Sequence, residues 1–311
     1  MELRQLRYFV SIVDHGSLSR AAKVLHIVQP ALTQQLQQLE EELGATLLHR
    51  SAQGMQATDA GKLFYEHAQA ILKQVSDARS AVAQSTDKPT GTVALGIPQS
   101  VSGALALPLL MAVRETYPDI VFQLTEELTG NLTEQLRSGR LNLAILFDDG
   151  QLSGLNTVAL AEEQMMYITR HDSRFICKRK TISLDQALQV PLILPSIQHG
   201  VRPRIERVVR EHGRTIDKVI DITSIAILKS ALLADMGATI LPVSPVLAEI
   251  NRGELHACAF RDAELSRTVT LCTSKNIPLT NAAMAVAKLV QQVTHDLCRS
   301  NTWLGARSLL R

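Results

Sequence analysis

The residues best placed to do chemistry in this 311-residue chain sit at one tip of a helix-forming run: Gln29, Pro30, Thr33 and Gln34. Glutamine carries a donor and an acceptor side by side, so it can pair with the N6/N7 edge of adenine. Proline's fixed φ and missing N–H suit a first helical turn, so Gln29-Pro30 opens a helix. Leu32, Leu36, Leu39 and Leu43 then recur at about 3.6 residues, burying one face and leaving Thr33, Gln34, Gln35 and Gln37 outward. Upstream, Ser17 or Ser19 can cap a shorter helix with Ala21, Ala22 and Leu25 on its apolar stripe. His26-Ile27-Val28 makes a tight turn in which Val28 is expected to point into the core. Two helices joined this way present the start of the second to the major groove. The same pattern occurs in α-proteins whose polar faces are only solvated, so the helix pair alone leaves both readings open.

The elements around the tip favour nucleic acid. Leu47 to Arg50 reads as a short strand, and the segment after it turns at Gly54 and returns, which makes a two-stranded wing. Arg50 at its base could hold a phosphate in fork geometry, although a surface arginine in a hairpin looks the same. Residues 1–61 hold five basic and six acidic side chains, and three of the acids fall in the run Glu40–Glu42. Between Ser17 and Leu39 there is none, so charge is polarised away from the tip. Affinity per module is therefore expected to be modest, which calls for an oligomer on repeated half-sites. A helix capped by Thr58 continues to about Ser85, stopped by Lys88-Pro89. Its Phe64, Ala68, Ile71, Val75, Ala78 and Val82 lie at alternating spacings of four and three. That seam favours lengthwise pairing of two helices over an ordinary buried helix.

Residues 1–66, in the pattern AA..L....PAL..Q...LE..LG..LL.R and the T.AG that follows, resemble the LysR-type transcriptional regulators. A narrower likeness to the nitrogen-control members of that family rests on LRYFVSIVDHGSL, AAKVLHIVQPAL, ITSIAILKSAL and MGATILP. The resemblance implies an α/β architecture: an N-terminal winged helix-turn-helix over 1–58, a linker and dimerisation helix over 59–89, and an effector-binding domain over 90–311. It also implies that Gln29, Pro30, Thr33, Gln34 and Arg50 approach double-stranded DNA, that the chain self-associates as a homodimer or homotetramer, and that RNA polymerase is a partner. Gln34 stands where arginine is frequent in the family, and Gln53 where a basic wing residue is frequent. Both departures put the usual half-site contacts in question.

Beyond Gly91 the pattern changes to strands alternating with amphipathic helices, which predicts mainly parallel sheets covered on both faces. Some 220 residues exceed the ~100–150 typical of one domain, so two subdomains are expected. The family resemblance arranges them as two Rossmann-like lobes, as in periplasmic binding proteins. Lobe I takes about 90–162 and 266–311, and lobe II about 163–265. Helix N-termini after such strands attract anions. Ser100, Ser102, Thr129, Ser196 and Thr223 stand at those turns and, by the resemblance, line a cleft for a small, carboxylated effector. Helix capping accounts for each of them equally well. Nitrogen-control members are thought to act without an inducer, in which case the cleft is vestigial.

Nothing in the sequence points to catalysis, a cofactor or a metal. Cys177, Cys258, Cys272 and Cys298 lack C-x-x-C spacing, and the nine histidines form no H-E-x-x-H pair. Cys177, beside Lys178, Arg179 and Lys180, is the one candidate for an acidified, redox-sensing thiol, against a plain cysteine in a basic loop. A net charge of +2 and the lack of any apolar run approaching the ~20 residues that span a bilayer fit a cytoplasmic protein without membrane contact. The expectation is a DNA-binding regulator, not an enzyme. The alternative is a small-molecule-binding protein or enzyme whose N-terminal helices serve assembly.

Overall fold

The structure, a computed structural model, describes residues 1–51, 54–83, 88–148, 150, 152–197, 200–217 and 219–310. Its backbone divides into two compact units, one of them formed mainly by Met1–Ala83.

In this first unit, α1 (Leu3–His15) ends where Gly16 adopts φ 60°, and α2 (Leu18–Val24) is capped by Ser17, whose Oγ accepts from the Arg20 N–H. His26 takes the left-handed φ of 54° that closes the turn. Next, α3 (Gln29–Leu43) ends at Gly44 with φ 62°, and β1 (Leu48–Ser51) pairs antiparallel with β2 (Gly54–Ala57) as the wing. The core of Leu6, Phe9, Ile12, Leu18, Ala21, Leu32, Leu36, Leu39 and Leu47 is completed by Ala68 from α4 (Asp59–Ala83). Two expectations fail here. Val28 is 70% exposed, because the left-handed His26 directs Ile27, bonded through its N–H to the Ala22 carbonyl, toward the core instead. Leu43 is 39% exposed, since the leucine stripe outruns the small core it covers.

The second unit opens with β3 (Gly91–Pro98), α5 (Gln99–Thr116), β4 (Ile120–Glu127), α6 (Thr129–Ser138) and β5 (Leu143–Phe147). Strands β4, β3 and β5 lie parallel in that order. The chain then runs through one 16-residue strand, β6 (Leu155–Arg170). Beyond it come β7 (Thr181–Ile182), α7 (Leu184–Leu188), β8 (Leu192–Pro195), α8 (Val201–Glu211), β9 (Val219–Ile222), α9 (Ile225–Leu233) and β10 (Thr239–Pro242). A 3₁₀ turn (Ser244–Val246) leads into α10 (Leu247–Asn251), followed by β11 (Leu255–Phe260), β12 (Ser266–Ser274), α11 (Asn281–Arg299) and β13 (Ala306–Ser308).

β6 binds the unit together. Its first part pairs antiparallel with β12 and β13, and its last part with β10 and β11. The expected mainly parallel sheets are therefore mixed: β4-β3-β5 and β8-β9 are parallel, while every partner of β6 is antiparallel. The physical reason is that β6 and β12 carry the chain between the two halves in opposite directions. One core gathers Val93, Leu95, Leu105, Ile145, Val286 and Trp303, and a second gathers Tyr167, Ile193, Ile205, Leu228, Ile240 and Leu255.

Candidate nucleic-acid interface and effector cavity

At the tip of α3, Gln29, Pro30 and Gln34 are exposed, and Thr33 is half-buried with its Oγ1 donating to the Gln29 carbonyl at 3.1 Å. Gln29 is oriented from α2: Ser19 Oγ donates to its Oε1 at 2.8 Å, which leaves the amide NH2 for an outside acceptor. Ser19 is thus a positioner of the tip, and the helix cap is Ser17. Gln35 is half-buried with its amide donating to Gln38 Oε1 at 2.8 Å, so of the expected outward glutamines Gln34 and Gln37 are the exposed ones without such a bond.

The wing is fastened at both ends. Glu40 Oε1 accepts from the Leu47 and Leu48 N–H groups at 2.7 and 3.1 Å, so part of the acidic run is spent on fixing β1. Met55 N–H donates to the Gly16 carbonyl, and a Cβ on Gly54, at φ +117°, would lie 2.3 Å from that oxygen. Arg50 is exposed, opposite Met55 in the wing register, and has no ion-pair partner among the described residues. Gln53 lies outside the described residues. Thr58 joins wing to helix: its Oγ1 accepts from Gly61 N–H at 2.9 Å and donates to the Thr46 carbonyl at 2.7 Å.

The five hydroxyls of the second unit have separate fates. Ser100 is buried at the start of α5, and its carbonyl accepts from Ser244 Oγ at 3.2 Å. Ser102 Oγ bonds back to the Gln99 carbonyl at 2.9 Å. Thr129, half-buried, is the first residue of α6 and not a residue before it. Ser196 follows β8, and its buried Oγ has no partner among the described residues. Thr223 is exposed after β9, and its neighbour Ser224 caps α9. A cavity of about 500 Å³ lies elsewhere in this unit, and none of the five lines it. Its wall holds Arg204, Arg207 and Arg210 from α8, Phe147 and Asp148 at the end of β5, Glu162 on β6, Glu264, and Ser266, Arg267 and Thr268 on β12.

Behind that wall lies a buried polar hub. Glu163 on β6 receives two bonds on Oε2 from Arg267, at 2.9 and 2.6 Å, while Oε1 accepts from Ser244 Oγ at 2.6 Å and Trp303 Nε1 at 2.9 Å. The Arg267 guanidinium stacks 3.8 Å from the Phe147 ring centre, and its Nη1 is buried without a hydrogen-bond partner among the described residues. Burial presses its pKa down against the support of Glu163. Arg204 donates to the carbonyls of Ser266 and Glu264, which fixes its direction without cancelling its charge. The wall sets four guanidinium groups beside three carboxylates, a lining that can hold an anion by charge-assisted hydrogen bonds. Among the described residues no group of three or more His, Cys, Asp or Glu could hold a metal.

Comparison with known proteins decides the family. Residues 3–62 match the bacterial regulatory helix-turn-helix protein, lysR family, and residues 86–294 match the LysR substrate binding domain. The chain belongs to the LysR family of transcriptional regulators. As a LysR-family DNA-binding regulator with an effector-binding lobe, it is 35% identical over 302 residues to the nitrogen assimilation regulatory protein nac of Escherichia coli K12, covering 94% of this chain and 95% of that one. The Klebsiella aerogenes protein of the same name is 33% identical, covering 93% and 94%. A full-length OxyR from Pseudomonas aeruginosa, solved as a cysteine-to-aspartate variant, shares the fold at TM-score 0.69 and 20% identity, covering 95% of each chain. LysR-family regulators are not enzymes.

Several residues of this LysR-family site escape the sequence reading. The arginines of α8 are legible as a spacing of three in VRPRIERVVRE, one face of a helix, but a search for helix-opening hydroxyls does not select them. Arg267 and Glu163 give no signal, being charges 104 residues apart in the sequence.

Proposed function

We propose that this chain regulates transcription by reading the major groove with Gln29, Pro30, Thr33 and Gln34 while Arg50 holds an adjacent phosphate, as a homo-oligomer that also contacts RNA polymerase. The observation that carries this reading is the exposed amide tip of α3, with Gln29 tethered by Ser19 and the leucine face packed behind it. The module occupies 1–58, the linker that carries the pairing helix 59–89, and the regulatory lobes 90–311, in the cytoplasm. A small carboxylated molecule is the effector, held where the α8 arginines and Arg267 line the cavity.

Fluorescence anisotropy on genomic fragments tests the DNA reading. Affinity falls steeply with salt, as phosphate contacts release counterions. Arg50→Ala lowers it for all sequences alike, whereas Gln34→Ala removes about 1–3 kcal/mol of discrimination at one base pair. Equal loss on every sequence for Gln34→Ala rejects the base-reading role. For the effector, a thermal-shift series with carboxylates is expected to raise the melting temperature, less so in Arg207→Ala. A flat series supports the inducer-free reading, which the Ser102 hydroxyl, bonded back to the Gln99 carbonyl, favours.

A further inference from the structure

The fold brings together two cysteines that are remote in the sequence. Cys177 lies in the irregular segment between β6 and β7, half-buried, followed by exposed Lys178, Arg179 and Lys180. Cys258 is buried on β11, next to Ala259, which pairs in register with Thr181 of β7. Both sulfurs converge on one acceptor: Cys177 Sγ is 3.4 Å from the Arg179 carbonyl oxygen, and Cys258 Sγ is 3.4 Å from that same oxygen. Cys177 also reaches the Thr181 carbonyl at 3.5 Å. Burial pushes the Cys258 thiol up to about 12, and the nearness of Cys177 adds to this. Cys272 and Cys298 are also shifted upward by burial, but the neighbours that add to it are the carboxylates of Asp148 and Glu163 rather than a second thiol.

The roles of the pair are unequal. Cys177 is the less buried of the two sulfurs, on an irregular segment at the surface, so it is the one a reagent from solvent meets first. Cys258 is protonated and shielded, poor as a nucleophile toward bulk reagents but in immediate reach of its neighbour. Proximity of this kind replaces a bimolecular step by a unimolecular one. The segment carrying Cys177 is irregular backbone between β6 and β7, tied to β6 by Tyr167 Oη donating to the Phe175 carbonyl at 2.8 Å.

We propose that Cys177 and Cys258 are a reversible dithiol–disulfide pair oxidised by hydroperoxides. The Cys177 thiolate attacks the peroxide O–O bond, forming a sulfenic acid and releasing an alcohol or, from hydrogen peroxide, water. The Cys258 sulfur displaces the sulfenic hydroxyl, its proton leaving with it as water, and an S–S bond forms. Each turnover takes two electrons from the thiols and delivers them to the peroxide. A small reduced thiol such as glutathione restores both cysteines by exchange, ending as its own disulfide. The bridge ties the basic segment to β11.

The test uses the full, reduced chain treated with one equivalent of hydrogen peroxide, quenched with an alkylating reagent and mapped by peptide mass spectrometry. A Cys177–Cys258 cross-linked peptide is expected, reversed by dithiothreitol, forming at least tenfold faster than any loss of Cys272 or Cys298 thiols. Cys258→Ser should leave Cys177 as a sulfenic acid trapped by dimedone, while Cys177→Ser should leave Cys258 reduced at the same dose. If the wild-type chain keeps Cys177 and Cys258 alkylatable, or loses Cys272 and Cys298 as fast, the proposal fails. Should dimedone mark Cys177 in the wild type with no bridge to Cys258, pairing is rejected. Circular dichroism of each variant before treatment verifies that it is folded.

Discussion

Single side chains in this molecule settle what larger patterns leave open. Gln29 shows this: its position is readable from the helix-opening Gln-Pro, but its orientation depends on Ser19, ten residues earlier, on a helix whose cap is another serine. Sequence spacing finds exposed amides; it cannot say which are tethered, because that depends on a crossing of two helices. His212, at the end of α8, makes a second residue-scale case. Its two ring nitrogens lie 2.8 and 3.0 Å from the Val208 and Asp262 carbonyl oxygens, and both can donate only when the ring is protonated. Those bonds hold its pKa above the ordinary 6.5. A folded-state pKa raised in this way favours folding below pH 6.5, and the contribution fades as pH climbs through the folded value. An NMR titration of the His212 ring is expected to show a midpoint above that of unfolded histidine. A midpoint at or below it would mean the doubly donating geometry is wrong.

Elements formed by local patterns are legible, and those formed by distant pairing are not. Helices α2, α3 and α4 follow from caps, Gly breakers and leucine spacing, all within one or two turns of chain. β13, β7 and the first half of β6 escape the sequence because Leu155–Glu163 mixes exposed and buried residues without alternation, and two- or three-residue strands carry no period. They exist because a partner strand elsewhere supplies their hydrogen bonds. The T.AG motif, by contrast, gains a physical meaning from the structure. A Cβ on Gly61 would sit 2.0 Å from the Leu47 carbonyl oxygen, which also receives the Thr58 N–H at 2.9 Å. Gly61→Ala should therefore destabilise the first unit by about 1–3 kcal/mol in urea unfolding, through overpacking against backbone that cannot retreat. Wild-type stability in that variant would show the junction to be soft. On α4 the seam divides: Phe64 and Ala68 serve the unit's own core, while Ile71 and Val82 are 36% and 89% exposed. If α4 pairs as proposed, wild-type chain sediments as an oligomer and Ile71→Glu with Val82→Glu converts it to monomers in sedimentation velocity, leaving the helix-turn-helix folded.

For the molecule as a whole, the two units differ in what holds them. The first rests on apolar packing, capped turns and the Glu40 anchor. The second adds the Glu163 hub, whose partners come from β12, the 3₁₀ turn and Trp303. Glu163→Ala strands a buried guanidinium and should cost about 3–5 kcal/mol, whereas the double change Glu163→Leu with Arg267→Met should recover much of that loss, since apolar replacements of a buried pair are often neutral. Equal unfolding midpoints for the single variant and the wild type would show that the hub is dispensable. The hub also sets an order of events during synthesis. Trp303 reaches Glu163 across 140 residues, and β13 lies alongside the same stretch of β6. A ribosome therefore releases the helix-turn-helix unit as a finished piece long before the second unit can close, and a nascent chain stalled short of Trp303 would lack one of the four bonds to Glu163 and the β13 edge of β6.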